Sequence, residues 1–523
     1  MNKKKEQERE ELHKTIWKIA TDLRGSVDGW DFKQYVLGLL FYRFISENLV
    51  SYINGGEVAA GTVDFDYAKI SDEEAEFGRE ETLAEKGFYI LPSELFENVR
   101  KNAEKDNNLN VRINKIFSNI ENSAKGTDSE GSMKGLFDDF DVKGNKLGNT
   151  VSEKNKKLVK LLDAIGDLNL GNYKDNSIDT FGDAYEFLMT MYASHAGKSG
   201  GEFFTPQEVG DLLARITLIG KTKIDKVYDP ACGSGSLLLK FVKVLGKKNI
   251  KKGIYGQELN LTTFNLCRIN MFLHDINYNE FNIARGDTLL NPAFRDQAPF
   301  DAIVSNPPYS IHWIGKADPL LINDDRFAPA GILAPQSKAD LAFTMHILSY
   351  LAPEGTASIV EFPGVLYRTG IEQKIREYLI KNNFVDTIIQ LPVNMFFGTG
   401  MPTCVIVLKK NKKDSNVLFI NAKKEFVKNG NKNKLAEINI DKIIDLIKKR
   451  DDIKDESILV DNQEIANNKY IMAVDSYLKT ESSQAIVDIS THNENLRKIV
   501  ERQTAIREEI DKIIADLEGS WND

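Results

Sequence analysis

Cysteine is scarce in this chain: Cys232, Cys267 and Cys404 are the three present in 523 residues, and none has a paired spacing. Each falls in an apolar or glycine-loop stretch, which argues against a disulfide framework and against a zinc site. The six histidines show no HExxH-like pattern, so metal-free chemistry is expected. Long apolar runs are missing as well. The strongest near the start, YVLGLLFY from Tyr35 to Tyr42, stops at Arg43 and is too short to span a bilayer. The opening MNKKKEQEREELHK lacks the apolar core of a secretion signal. The expected location is therefore the cytoplasm, with no membrane partner. No internal repeat breaks the chain into copies.

What is there divides into three parts, and the length is ample for two or three domains with full cores. Residues 1–165 read as a helical N-terminal domain, with an amphipathic run LHKTIWKIATDLR, a glycine-containing break at GSVDGW and an apolar helix from Phe32 onward. Within it, GTDSEGSMKG (residues 126–135) is loop-like by composition. Residues 166–410 alternate strands and helices. The strands are IDKVYD, GIYGQE, NIARGD, DAIVSN, TASIVEF, VDTIIQL and TCVIVLK, and between them lie helices such as LTTFNLCRINMFLHD, ADLAFTMHILSYL and IEQKIREYLIKN. That alternation predicts an α/β fold, a doubly wound and mostly parallel sheet whose ligands sit at the carboxyl ends of the strands. Residues 411–523 begin rich in lysine and asparagine. They end in a heptad seam of Leu496, Ile499, Gln503, Ile506, Ile510, Ile513 and Leu517, the pattern of a coiled-coil helix that chooses a partner.

Chemistry concentrates at the predicted strand ends. Asp229 and Pro230 close the first strand in VYDPACGSGS, and Gly233 and Gly235 open the helix SLLLKFVKVLG. Glycines at such a turn let a ligand approach the backbone closely. A dinucleotide fingerprint would want a third glycine where Leu238 stands, so a nicotinamide or flavin site is a poor match. Glu258 ends the second strand, where a carboxylate grips a ribose diol, and Asp287 follows the third. After the fourth comes Asn306–Pro307–Pro308–Tyr309. An exocyclic amine conjugated to a ring is a poor nucleophile. This tetrapeptide offers it a side-chain carbonyl, a backbone carbonyl on a stiffened chain and an aromatic face.

The order GEFFTP, DPACGSG, GDTL, NPPY resembles the S-adenosylmethionine-dependent amino-methyltransferases that make N6-methyladenine in DNA. More closely, the chain resembles the modification (methylation) subunit of type I restriction-modification systems. GDAYEFL, KSGGEFFTPQEV, the DDRF and KADLAF stretches, LPVNMFFGTGMPTCVIVLKK and the N-terminal FDDFDVKGNKLG all carry that resemblance, which spans nearly the whole length. It implies a Rossmann-like methyltransferase fold and a site-specific adenine N6-methyltransferase that flips its target base. The implied partners are double-stranded DNA, a specificity subunit, a second copy of this subunit and a helicase-nuclease restriction subunit.

The implied cofactor is S-adenosylmethionine. Its residues would be Glu202, Phe203, Phe204, Thr205 and Pro206 of GEFFTP, with Phe203 and Thr205 near the methionine moiety. Asp229, Pro230, Cys232, Gly233, Ser234, Gly235 and Ser236 of the glycine loop would join them, with Glu258 and Leu259 at the ribose, Asp287 and Thr288 at the adenine amino group, and Asn306. Asn306, Pro307, Pro308 and Tyr309 would hold the target adenine, with Phe396 or Phe397 over its other face. Net charge bears on the partners: 68 basic against 77 acidic residues give −9, whereas a stand-alone duplex binder carries a basic excess. Basic residues must then cluster locally, or another subunit must do much of the binding, and a contribution from both is expected.

Three other readings compete. A protein glutamine-amide methyltransferase also uses NPPY, but predicts a short chain without the helical N-terminal part or the C-terminal seam. A non-catalytic assembly subunit would have lost Asn306 or the cofactor glycines, and none is lost. A self-sufficient DNA adenine methyltransferase would need a recognition domain of its own, and only about a hundred residues of mixed sequence follow Lys410.

Overall fold

The structure is a computed structural model that describes residues 10, 12–14, 16, 31–170, 180–195, 205–396, 400–478 and 489–519. It divides into two compact units, Met1–Leu478 and Lys479–Asp523. In the first, the strands are β1 (Val227–Asp229), β2 (Ile254–Glu258), β3 (Phe281–Arg285), β4 (Phe300–Ser305), β5 (Leu351–Glu361), β6 (Val385–Gln390), β7 (Cys404–Lys409), β8 (Asn416–Asn421), β9 (Val427–Asn429), β10 (Lys432–Lys434) and β11 (Ser457–Asp461). Nine form one sheet in the order β11-β8-β6-β7-β5-β4-β1-β2-β3, and β9 pairs with β10 alone. All seven strands expected between residues 175 and 410 are present, and the sheet is mostly parallel. The exception within that set is β7, antiparallel to both β5 and β6.

Both faces of the sheet are covered, which is why its strands read as continuous apolar runs instead of alternating ones. Val227, Ala302, Val304, Val405 and Val407 point to one face, and Tyr228, Ile303 and Ile406 to the other. Among the helices that matter for the site are α1 (Asp31–Ala59), α2 (Leu109–Ser123), α3 (Val151–Gly166), α4 (Thr180–His195), α5 (Gln207–Thr217), α6 (Ser236–Leu245), α7 (Leu261–Leu273), α8 (Asp340–Tyr350), α9 (Ile371–Lys381) and α10 (Glu437–Lys449). On the first face, α5, α6, α7 and α10 share one core with the N-terminal helices, while α8 and α9 cover the second.

The apolar helix expected from Phe32 is α1. By length and composition its Gln34–Ala59 stretch could cross a membrane, yet 72% of its apolar 18-residue window is buried inside the fold. A helix apolar on every side is a core helix when neighbours surround it, and here Phe41 meets Phe137 and Phe272. Arg268 of α7 joins the two parts. Fully buried, it donates to the carbonyls of Gly131 (3.0 Å), Ser132 (3.3 Å) and Lys134 (2.9 Å). These acceptors lie at a single-turn helix, Glu130–Met133, inside the stretch expected to be loop. Burial pulls the guanidinium down to about 10, and three carbonyls are what make its charge tolerable there.

The domain boundary expected at residue 410 moves. β8 pairs parallel with β6, and β11 antiparallel with β8, so the sheet runs on to Asp461. Lysine and asparagine flank the strand NVLFIN and hide it, although its four central residues are buried. The amphipathic run of residues 12–24 and the break of residues 25–30 lie largely outside the described residues. The second unit, by itself, contains helix α11 (Ile489–Gly519), 31 residues long.

Candidate functional site

Strand order reverses between β1 and β4, since β2 and β3 extend the sheet to one side and β5 to the other. Helices leave on opposite faces at such a point, and a crevice opens beyond the carboxyl ends. The residues singled out from the sequence converge there. Asp229, at the end of β1, is 1% exposed, and its Oδ1 accepts from the Ala231 backbone and from Ser305 Oγ, each at 3.0 Å. Ser305 is the last residue of β4, directly before Asn306.

The glycine loop follows β1 at once. Gly233 has φ +53 and Gly235 φ +78, both in the left-handed region that penalises side chains. They differ in what a side chain would meet. A Cβ on Gly235 would lie 2.7 Å from Cys267 Sγ and from Met271 Cε, so this glycine lets α6 pack on α7. A Cβ on Gly233 meets nothing within 4 Å, so that position faces open space. The loop is tied to β2 on its far side: Gly233 N donates to Glu258 Oε2 (3.0 Å) and Cys232 N to the Gln257 carbonyl (3.0 Å). Ser234 presents its carbonyl to Asn270 Nδ2 at 2.9 Å, and Ser236 opens α6.

The remaining acidic positions surround the loop. Glu258 Oε1 also accepts from Asn260 N (2.8 Å), the N-cap of α7, and the neighbouring Leu259 is 63% exposed. Asp287 stands on the turn after β3, where its Oδ1 accepts from Leu289 N at 2.9 Å and Leu290 N at 3.3 Å. Buried Thr288 donates to the Pro230 carbonyl at 2.6 Å, closing the ring between the third strand end and the first.

Asn306 completes the assembly. Its Nδ2 donates to Thr205 Oγ1 at 2.9 Å, joining NPPY to the end of GEFFTP, while its Oδ1 accepts from Tyr309 Oη at 2.5 Å. Burial pushes the Tyr309 phenol well above its ordinary value, so it remains a donor. Pro206, after Thr205, leads into α5. Phe396 is 1% exposed in the main core, and its carbonyl accepts from Lys432 Nζ at 2.7 Å, so its ring is committed to packing. Glu202, Phe203, Phe204 and Phe397 lie outside the described residues.

The electrostatics of the crevice favour a cation. Asp229 Oδ2 is buried with no hydrogen-bond partner among the described residues, and Glu258 adds a second carboxylate nearby. Burial, against the opposing hydrogen bonds from Ala231 and Ser305, raises the Asp229 carboxyl to about 7. A raised carboxyl pKa means the folded state holds a proton that the unfolded chain releases from about pH 4 upward. Stability should therefore fall as pH rises from about 4 to 7, at up to about 1.4 kcal/mol per unit at the steepest. Thermal melting of ligand-free protein across that range should show the decline, and Asp229→Asn should flatten it. Equal slopes in both proteins would place the titration elsewhere.

Sequence reasoning passed over several residues that the site uses. Ser305 was legible in principle, because it is the last strand residue before NPPY, beside the end of β1. Behind NPPY, Asp340 Oδ1 accepts from Ser310 N at 3.0 Å, and Glu361 at the end of β5 accepts from Thr344 at 3.3 Å. Burial, followed by the nearby Asp340, pushes the Glu361 carboxyl far above its usual range and keeps it neutral. No local pattern announces a neutral glutamate.

Comparison with known proteins points to one family. The N-6 DNA Methylase family profile matches residues 176–485, and the HsdM N-terminal domain profile matches residues 12–165. The methylase subunit of the type I restriction enzyme MpnII from Mycoplasma pneumoniae is 47% identical over 538 residues, covering 100% of this chain and 99% of that one. The MjaVII methylase subunit of Methanocaldococcus jannaschii is 31% identical, covering 69% of this chain and 66% of its own length. Among solved structures, the type I restriction-modification methyltransferase subunit from Streptococcus thermophilus superposes with a TM-score of 0.80 at 32% identity. That match covers 90% of this chain and 99% of that one.

Proposed function

Because this chain belongs to the N-6 DNA methylase family, as a methylase subunit of the type I restriction kind, we propose that it methylates the N6 amine of a flipped adenine within an assembly that reads the DNA sequence. The observation that carries the proposal is the hydrogen-bonded chain Tyr309–Asn306–Thr205. It sets an amine-binding acceptor beside the buried carboxylate of Asp229 at the switch point of the sheet.

The crevice suits S-adenosylmethionine on its own chemistry. The partnerless oxygen of Asp229 fits a ligand with positive charge, the space over Gly233 admits one close to the backbone, and Glu258 offers a carboxylate to a ribose diol. When bound, this cofactor supplies an electrophilic methyl group. The chain's own residues act on the amine. Asn306 Oδ1 and the Pro307 carbonyl accept hydrogen bonds from its two N–H groups, fix its plane and gather negative potential on nitrogen. Tyr309 stacks on the base after its hydroxyl gives up Asn306 to the incoming amine, and Phe397 is the remaining candidate for the opposite face. No side chain has to be a strong base, because the amine becomes acidic once alkylated. Extruding the base costs about a few kcal/mol, which contacts at NPPY must offset.

The partners we propose are duplex DNA, a specificity subunit, a second copy of this subunit and a helicase-nuclease, acting together in the cytoplasm. An acidic chain of net charge −9 gains from a subunit that shares the phosphate contacts. Cofactor and chemistry are tested together. The chain assembled with its specificity subunit should move tritium from labelled S-adenosylmethionine onto adenine N6. Gly233→Val should remain folded but bind no cofactor, since its side chain fills space that protein atoms leave open, at a backbone cost of about 1–2 kcal/mol. A folded variant still stabilised by cofactor in thermal melting would remove the glycine loop from the site.

A further inference from the structure

The segment between NPPY and α8 does more than connect them. Its neck is closed by two backbone pairs: Ala339 N donates to the Ile311 carbonyl and Trp313 N to the Gln336 carbonyl, both at 3.0 Å. Ends held this way close a long loop, residues 311–339, that contains three short 3-10 turns. Near its middle lies Arg326 of DDRF, 2% exposed. Its guanidinium reaches out of the loop and donates to the carbonyls of Thr288 (2.9 Å) and Leu289 (2.8 Å), the two residues after Asp287.

Everything else around Arg326 fixes that fork. Asp324 accepts from its Nε at 2.8 Å and from Nη2 at 3.0 Å, and Asp324 is itself held by Arg295 at 2.8 Å. Although partial burial opposes it, the bonds from Arg326 draw the Asp324 carboxyl below the usual range, so the pair stays ionised. His346 Nδ1 lies 3.4 Å from Nη1, and its Nε2 pairs with Tyr228 Oη at 3.0 Å. Burial and then the charge of Arg326 hold this histidine well below its ordinary pKa, so it adds no second cation beside the fork. The turn gripped by Arg326 is the one whose backbone also fastens Asp287 Oδ1, through Leu289 N and Leu290 N. A planar fork on two successive carbonyls fixes the pitch of that turn; a lysine would contribute a point charge without the geometry.

We propose that Arg326 is a positioning residue for recognition of the cofactor's adenine ring. From the long loop that begins at the target-base site, it sets the turn that aims Asp287. The inference rests on the assignment of Asp287 to the adenine amino group. It adds a coupling: the loop next to NPPY holds the cofactor turn in place, so one element serves both halves of the reaction.

The test is binding of two ligands to the full chain by isothermal titration, S-adenosylhomocysteine and its inosine counterpart, which lacks the amino group. Wild type should prefer the adenine form. In Arg326→Lys, and separately in Asp324→Asn, which loosens the fork without touching the turn, affinity for S-adenosylhomocysteine should fall about tenfold or more. The preference over the inosine form should shrink toward unity. In the assembled enzyme, turnover at saturating cofactor should change far less than KM. Loss of folding alone would weaken both ligands equally and leave their ratio intact, which would overturn the proposal. So would unchanged affinity and preference in Asp324→Asn, the variant that decides if Arg326→Lys does not fold. A wild type without preference would instead remove the assignment of Asp287, a separate failure.

Discussion

Replacing Asn306 by alanine should cut methyl transfer by about two to three orders of magnitude, with a far smaller loss of affinity for the cofactor, which keeps its other contacts. The split follows from the geometry. Asn306 Nδ2 is fastened to Thr205 Oγ1 at 2.9 Å, which holds the side-chain plane and turns the carbonyl oxygen toward Tyr309. That oxygen already accepts a hydrogen bond from the Tyr309 hydroxyl, so the amine enters by exchanging one donor for another and no buried acceptor is stranded. Alanine removes the acceptor that makes the nitrogen nucleophilic, yet leaves Asp229, Glu258 and the glycine loop unaltered. Tyr309→Ala should behave alike through loss of stacking. Isothermal titration with the cofactor and a tritium-transfer assay on the same samples separate the two effects. Wild-type turnover in Asn306→Ala would sink the mechanism.

The ends of strands were legible because they combine an apolar run with a residue that an apolar run cannot contain. Asp229, Glu258 and Asn306 each end a stretch of buried residues, Asp287 follows a partly exposed edge strand, and the structure brings all four to the carboxyl ends of neighbouring strands. What sequence could not reveal was burial of charge. Arg268, Arg326 and Arg376 are fully buried, and nothing in RINMF, DDRF or QKIRE distinguishes them from solvated arginines. Their partners are mostly backbone carbonyls, which every residue has, so the sequence carries no matching signal. Arg376, for instance, donates to the carbonyls of Val365, Arg368 and Tyr470. The same limit hid the extension of the sheet. β8 reads NVLFIN between lysines and asparagines, and its pairing with β6 and β11 depends on contacts distant in sequence. The seam of α11 was legible for the opposite reason, since a heptad is purely local.

That seam carries the other large expectation, that Ile506→Asp with Ile510→Asp abolishes assembly with the specificity subunit while sparing cofactor affinity. In α11, Leu496, Ile499, Ile506, Ile510 and Ile513 are between 48% and 63% exposed, with Val500 and Ile514 at 55% and 46% widening the stripe. Thirty-one residues make a helix about 46 Å long, and a single helix has no second surface on which to bury such an edge. Gln503 interrupts the stripe at one point, as a polar residue does when it specifies register at some cost in stability. A partner helix could cover the whole edge and remove several large aliphatic side chains from water, each worth about 1.5–3 kcal/mol when fully buried. Two aspartates at its centre reverse that gain, because an unpaired buried charge opposes docking by about 3–5 kcal/mol. Size-exclusion chromatography of the mixed subunits reads the outcome, with cofactor titration on the same variant as the control for folding. An undiminished complex would assign docking to another surface and leave the seam facing its own chain.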